Sequence, residues 1–136
     1  FAFDAGGESD YLPHNYNNNC VVYTGTHDND TVNGWIASMG RKDLAFARKY
    51  LNVRRNADIR ESLIRTALAS VADTAVIPMQ DYLGLGGEAR INLPSTLGGN
   101  WEWRMERGAC SEALSSHMLE LAQVYGRTVR AGKKKR

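Results

Sequence analysis

A histidine and two carboxylates stand in one short polar run, Tyr23-Thr24-Gly25-Thr26-His27-Asp28-Asn29-Asp30-Thr31, directly behind the apolar residues Cys20-Val21-Val22. Residues of these types have four readings. A calcium loop takes oxygen ligands at alternating positions, a glycine sixth and a carboxylate twelfth. Counted from Asp28, the sixth residue is Asn33, and the match fails. A zinc site needs four ligands, and one His beside one Asp, with no further His or Cys near, leaves that shell unfilled. Two readings stay open. Asp28 or Asp30 caps the following turn with His27 as a hydrogen-bonded spacer, or a carboxylate faces a substrate. Carboxylates so placed stabilise the positive charge that develops on an anomeric carbon in glycosyl transfer.

A second polar cluster runs from Met79-Gln80-Asp81-Tyr82 through Gly84-Leu85-Gly86-Gly87-Glu88-Ala89-Arg90-Ile91-Asn92-Leu93-Pro94 to Gly99-Asn100-Trp101-Glu102-Trp103-Arg104. Glycines let the backbone approach a ligand closely, and amide and indole groups suit sugar hydroxyls and sugar faces. The same glycines serve tight turns, and Trp101 and Trp103 are read as anchors of the loop in preference to sugar platforms. His117 falls beside an apolar helical stripe and reads as a helix-surface or core histidine.

The elements that position these clusters follow from periodicity. Residues 1–19 are turn-rich, with Gly6-Gly7, Leu12-Pro13 and Asn17-Asn18-Asn19. Cys20-Val21-Val22-Tyr23-Thr24 has the look of a parallel strand buried on both faces. Leu44, Ala47, Tyr50 and Leu51 share one face of a helix over residues 41–51. Asp58 is expected to cap a second helix, running to about residue 72, with Ile59, Leu63, Ala67 and Val71 in line and Ile64 and Leu68 beside them. Ala75-Val76-Ile77 reads as a second buried strand, ended by Pro78. A Gly-rich loop is expected over residues 79–110, of the kind that binds or catalyses. A last helix is expected over residues 111–130, carrying Leu114, Met118, Leu121, Ala122 and Tyr125. The order predicts an α/β fold of two strand–helix units. Two parallel strands do not stand alone. A closed (β/α)8 barrel would supply their neighbours, and its chemistry sits on loops past the C-terminal strand ends, where both clusters fall.

Composition bounds the function. With 136 residues, 43% hydrophobic and 24% charged, one globular domain is the ceiling. The net charge is +2, and Lys133-Lys134-Lys135-Arg136 carries four positive charges, so the rest is close to neutral. That balance gives no global drive toward nucleic acid, which needs a basic face and not a basic tip, and residues 131–136 read as a solubilising tail outside a unit spanning 1–130. No run approaches the roughly 20 apolar residues that span a bilayer, and Phe1-Ala-Phe-Asp lacks the pattern of a signal peptide. No membrane partner and a cytoplasmic location are expected. Cys20 and Cys110 are far apart and read as two free thiols. Phe1-Ala-Phe resembles the end of a strand whose start lies upstream, so a piece of a larger protein is expected.

Taken together, Leu12-Pro13-His14-Asn15-Tyr16, Thr24-Gly25-Thr26-His27-Asp28-Asn29-Asp30-Thr31, Gly34-Trp35, Glu88-Ala89-Arg90-Ile91-Asn92-Leu93-Pro94 and Asn100-Trp101-Glu102-Trp103-Arg104 resemble the C-terminal part of the 4-α-glucanotransferases of glycoside hydrolase family 77, also called amylomaltases or disproportionating enzymes. The resemblance runs in order to about Arg104. It implies the last strand–helix units of a (β/α)8 TIM barrel, incomplete in this chain. Asp28 matches the family's transition-state-stabilising aspartate. His27 matches the histidine that hydrogen-bonds the glucose at the cleavage site, and Asn92 an asparagine of the loop lining the groove. Phe1 and Pro94 match positions near that groove.

The implied partner is an α-1,4-glucan or maltooligosaccharide, and the implied chemistry requires no metal and no organic cofactor. Two departures matter. The family's nucleophilic aspartate and acid/base glutamate lie upstream of everything present, whereas a retaining mechanism needs two carboxyl groups about 5–5.5 Å apart. The 136 residues alone are therefore expected not to catalyse transfer. Ser95 stands where the family often has Gly after the proline. The alternative reading is a non-catalytic carbohydrate-binding or structural remnant, and the oligomeric state is left open.

Overall fold

The computed structural model describes residues 6–129; Phe1 and the basic tail lie outside the described residues. Two strands, β1 (Val21–Tyr23) and β2 (Thr74–Val76), pair in parallel with Val21 opposite Thr74, Val22 opposite Ala75 and Tyr23 opposite Val76. A parallel pair needs a long crossover. Here it comprises α1 (Val32–Ser38), α2 (Arg41–Tyr50) and α3 (Ile59–Ala69). After β2 come α4 (Met79–Leu83), a 3-10 turn at Gly87–Ala89, and α5 (Glu112–Val124). The α/β class is as expected, and no described helix is long and apolar enough to cross a membrane.

Helix α3 is the centre of the core because its apolar residues occupy more than one face. Ile59 and Leu63 pack with Leu12, Val32 and Ala47. Ala67 packs with Val22 and Ala72, under the sheet. Ile64 and Leu68 meet Leu121 of α5. Each buried Leu or Ile contributes about 1.5–3 kcal/mol of transfer free energy. The segment before β1 is tied to this core by Leu12, and by His14, whose ring meets the Tyr50 hydroxyl at 2.9 Å and the Gly7 carbonyl at 2.7 Å.

Five expectations need correction. Neither strand is buried as expected: in β1 Val22 is 1% exposed against 48% for Val21 and 39% for Tyr23, and in β2 Val76 is 43% exposed, because no described element covers the far side. Asp58 does not cap α3 through its side chain; it is itself helical, and its carboxylate takes two bonds from Arg55, at 2.6 and 2.9 Å. Helix α3 stops at Ala69, leaving Val71 outside it and exposed. Arg127 holds that end, donating to the carbonyls of Leu68, Ser70 and Ala72 at 2.9, 2.9 and 2.6 Å. Helix α5 ends at Val124 because Gly126, at φ +66°, turns the chain, and the Arg127 amide closes back on Ala122 at 2.7 Å. Finally, the expected loop over residues 79–110 contains α4, and α1 lies in a stretch where periodicity showed no helix.

Candidate active site

The first polar cluster leaves the C-terminal end of β1 as a folded loop. Asn29 Oδ1 accepts from the Thr26 amide at 2.8 Å and the Thr26 hydroxyl at 2.9 Å, and the Asn29 amide returns to Thr26 O at 3.1 Å. This turn presents His27 and Asp28 at its tip, with side chains 52% and 49% exposed. The cap of α1 is Thr31, whose Oγ1 accepts from the Gly34 amide at 3.1 Å. Asp30 supports it by accepting from the Thr31 amide at 2.7 Å, and Asp28 takes no part in capping. Gly34 is required for this arrangement: a Cβ there would stand 2.3 Å from Asp30 Oδ1.

The second cluster leaves the end of β2 and folds over the first. Asn92 Nδ2 donates to Asp28 Oδ1 at 2.6 Å, across 64 residues of sequence. His27 Nε2 lies 3.3 Å from the same oxygen. The Asn92 amide donates to His27 O at 3.1 Å. Arg90 completes the join, with Nη2 donating to Asp28 O at 2.6 Å and Nε to Asn92 O at 2.9 Å. Two loops that share no sequence are thus cross-linked at the backbone and side chain of one aspartate. Both contacts fall on Oδ1, so Oδ2 has no partner among the described residues. A half-exposed carboxylate aimed by an amide and an imidazole is suited to accept a hydroxyl or face a developing cation.

The loop beyond Asn92 is self-braced: the Leu93 amide donates to Asn100 Oδ1 at 2.8 Å, and the Trp101 amide donates to Ile91 O at 2.7 Å. Trp101 is not the buried anchor expected: the residue is 58% exposed, and its ring is tilted against that of His27, centroids 5.0 Å apart. Pro94 is exposed two residues past Asn92. Ser95 sits at φ +64°, a left-handed conformation that glycine adopts without strain. His117 pairs with Glu61 of α3 at 3.1 Å and takes no part in the site, and both cysteines are free. A groove of about 460 Å³, lined by Tyr11, Tyr16, Tyr23, Trp35 and Asp30, lies beside β1, and its lining does not include His27, Asp28 or Asn92.

Two residues of the site carried no role in the sequence reading. Arg90 was present in a quoted motif, but a contact to a carbonyl 62 residues away leaves no local signal. Asp81, 2% exposed, accepts from Thr24 Oγ1 at 2.5 Å and from the Val32 amide at 2.8 Å. Burial pushes its carboxyl above the usual range, opposed by those two bonds and by the charge of Arg60.

Comparison with known proteins identifies the family. The model of the 4-alpha-glucanotransferase family matches residues 1–111. The chloroplastic/amyloplastic 4-alpha-glucanotransferase of Arabidopsis thaliana is 45% identical over 93% of the chain, and a 4-alpha-glucanotransferase of Clostridium butyricum is likewise 45% identical over 93%. The chain spans 23% and 26% of the lengths of these two relatives. An amylomaltase from Streptococcus agalactiae, solved in complex with acarbose, superposes with a TM-score of 0.87 at 37% identity, covering 93% of this chain and 26% of that one. Residues, fold and family model agree, and the chain belongs to the 4-alpha-glucanotransferase family, glycoside hydrolase family 77.

Proposed function

We propose that the intact protein containing this chain transfers α-1,4-glucan segments between maltooligosaccharides, or to glucose, by retaining double displacement. The observation that carries this reading is the Asp28 carboxylate, held by Asn92 at 2.6 Å and flanked by His27 at 3.3 Å, at the exit of a parallel strand. In this reading an upstream aspartate, outside these 136 residues, attacks the anomeric carbon and an upstream glutamic acid protonates the leaving oxygen. The glucosyl-enzyme ester then passes its sugar to the 4-hydroxyl of a second glucan, the glutamate accepting that proton. Asp28 contributes by binding the sugar at the reacting centre most strongly when positive charge is greatest, which raises the rate instead of only tightening binding. His27 hydrogen-bonds the same sugar, and Asn92 with Pro94 lines the groove.

The same reading places β1 and β2 in a (β/α)8 barrel. Val21, Tyr23 and Val76, apolar and exposed among the described residues, would there face neighbouring strands and the barrel interior. The acarbose complex of the Streptococcus agalactiae amylomaltase supports a carbohydrate as ligand. Incubation of the intact protein with maltotriose tests the reading. Glucose appearing together with a ladder of longer maltooligosaccharides is expected. Binding of maltooligosaccharide with no new products would favour the carbohydrate-binding remnant instead.

A further inference from the structure

We propose that Asp81 is a positioning residue of this site: its two carboxylate oxygens hold both ends of the loop that carries His27 and Asp28, and so set where Asp28 stands. The inference rests on the reading of Asp28 given above.

The geometry is specific. Oδ2 of Asp81 accepts from the hydroxyl of Thr24, the residue that opens the loop, and Oδ1 accepts from the amide of Val32, the residue that follows it. Between these points the chain is a small rigid body, because Thr26 and Asn29 bond to one another. A rigid loop held at both ends has few ways to move. Released at one end, it is left to the other end and to the Asn92 and Arg90 bonds at its tip, and Asp28 loses part of what fixes its place. Asp81 is itself fixed from behind: Arg60 of α3 donates to its carbonyl at 2.7 Å, and the carbonyl of Gly84, at the end of α4, accepts from Asn33 Nδ2 at 2.7 Å. Gly84 stands at φ +71° with the Arg60 guanidinium 3.5 Å from where a Cβ would be, so α4 ends against the arginine that holds it. The contacts are internal to the described residues, and Asp81 is buried among them at 2% exposure.

The test uses kcat and KM for transfer on maltotriose by the intact protein. A displacement of about 1 Å at a reacting centre costs about 10²-fold in rate. Thr24→Val keeps the side-chain shape and removes one tether, and should lower kcat about tenfold with KM within about twofold. Thr24→Ser, which keeps the hydroxyl, should recover kcat to within about twofold of wild type. Asp81→Ala removes both tethers and should cost about 10²-fold; if it fails to fold, the Thr24 pair carries the test. In an Asp28→Asn background, Thr24→Val should have under about twofold further effect, because it acts through Asp28. An equal loss in both backgrounds, or an unchanged kcat in Thr24→Val, overturns the inference. If Asp28→Asn by itself leaves transfer intact, the reading of Asp28 falls first.

Discussion

The loops at the strand exits and the helices beneath them are held together by different forces. Around Asp28 the contacts are polar: Asn92 and Arg90 reach it from 64 and 62 residues away in sequence, and His27 beside it in the chain flanks the same carboxylate. The buried face of α3 is apolar: Ile59, Leu63, Ile64 and Ala67 are fully or almost fully buried against four other elements and the segment before β1. Apolar burial is non-directional and scales with area, whereas a hydrogen bond fixes a distance and an angle. The helical side therefore supplies stability and the loop side supplies aim. Substitutions in the two regions should separate accordingly, one lowering the melting temperature and the other the turnover.

The largest separation is expected from Ile64→Ala. It removes a fully buried side chain between α3 and α5, and should cost about 2–5 kcal/mol in a denaturant titration of the intact protein. Turnover per folded molecule should stay within about twofold, and a parallel loss of turnover would erase the distinction between the regions. Arg90→Lys probes the other side. A lysine ammonium lacks the fixed fork with which Nε and Nη2 reach Asn92 O and Asp28 O together, so kcat should fall about tenfold with little change in melting.

The smallest effect concerns Asp81, which belongs to both regions, being buried like the core and hydrogen-bonded like the loops. Burial raises its pKa from the ordinary 3.8; the bonds from Thr24 and Val32 and the Arg60 charge pull it down, and Asp30 pushes it up. A raised folded-state pKa means that the native protein binds this proton more tightly than the unfolded chain. The contribution is present in full below about 3.8 and is lost as pH rises through the raised value. Asp81→Asn cannot ionise, so its melting temperature relative to wild type should improve as pH rises across that window. A difference that does not vary with pH would show that Asp81 keeps an ordinary pKa.

Legibility in the sequence followed the same division. Helices α2, α3 and α5 were readable because their apolar spacing records burial, and their errors lay at the ends; the strands were readable as β-branched runs, but their burial was overread, since Val21, Tyr23 and Val76 are exposed. Those ends are set by contacts from afar: Arg127 holds the end of α3, and no periodicity in residues 59–72 encodes it. Helix α1 escaped detection because seven residues carry too short a stripe and its start depends on Thr31 and Asp81. At the site, Asp28, His27 and Asn92 were found through family-specific motifs, while composition and spacing alone left a capping role equally open. Arg90 and Asp81 were not assigned, since their partners lie 62 and 57 residues away in sequence.

The central claim is that the loops are built to aim Asp28 and not to stabilise the fold. The most direct measurement pairs the maltotriose transfer rate of Asp28→Asn in the intact protein with its melting temperature. We expect a loss of about 10²–10³-fold in kcat, as for removal of other transition-state contacts, with melting close to wild type because the side chain is half exposed. Undiminished transfer, or a rate loss that follows a collapse in melting temperature, would contradict it.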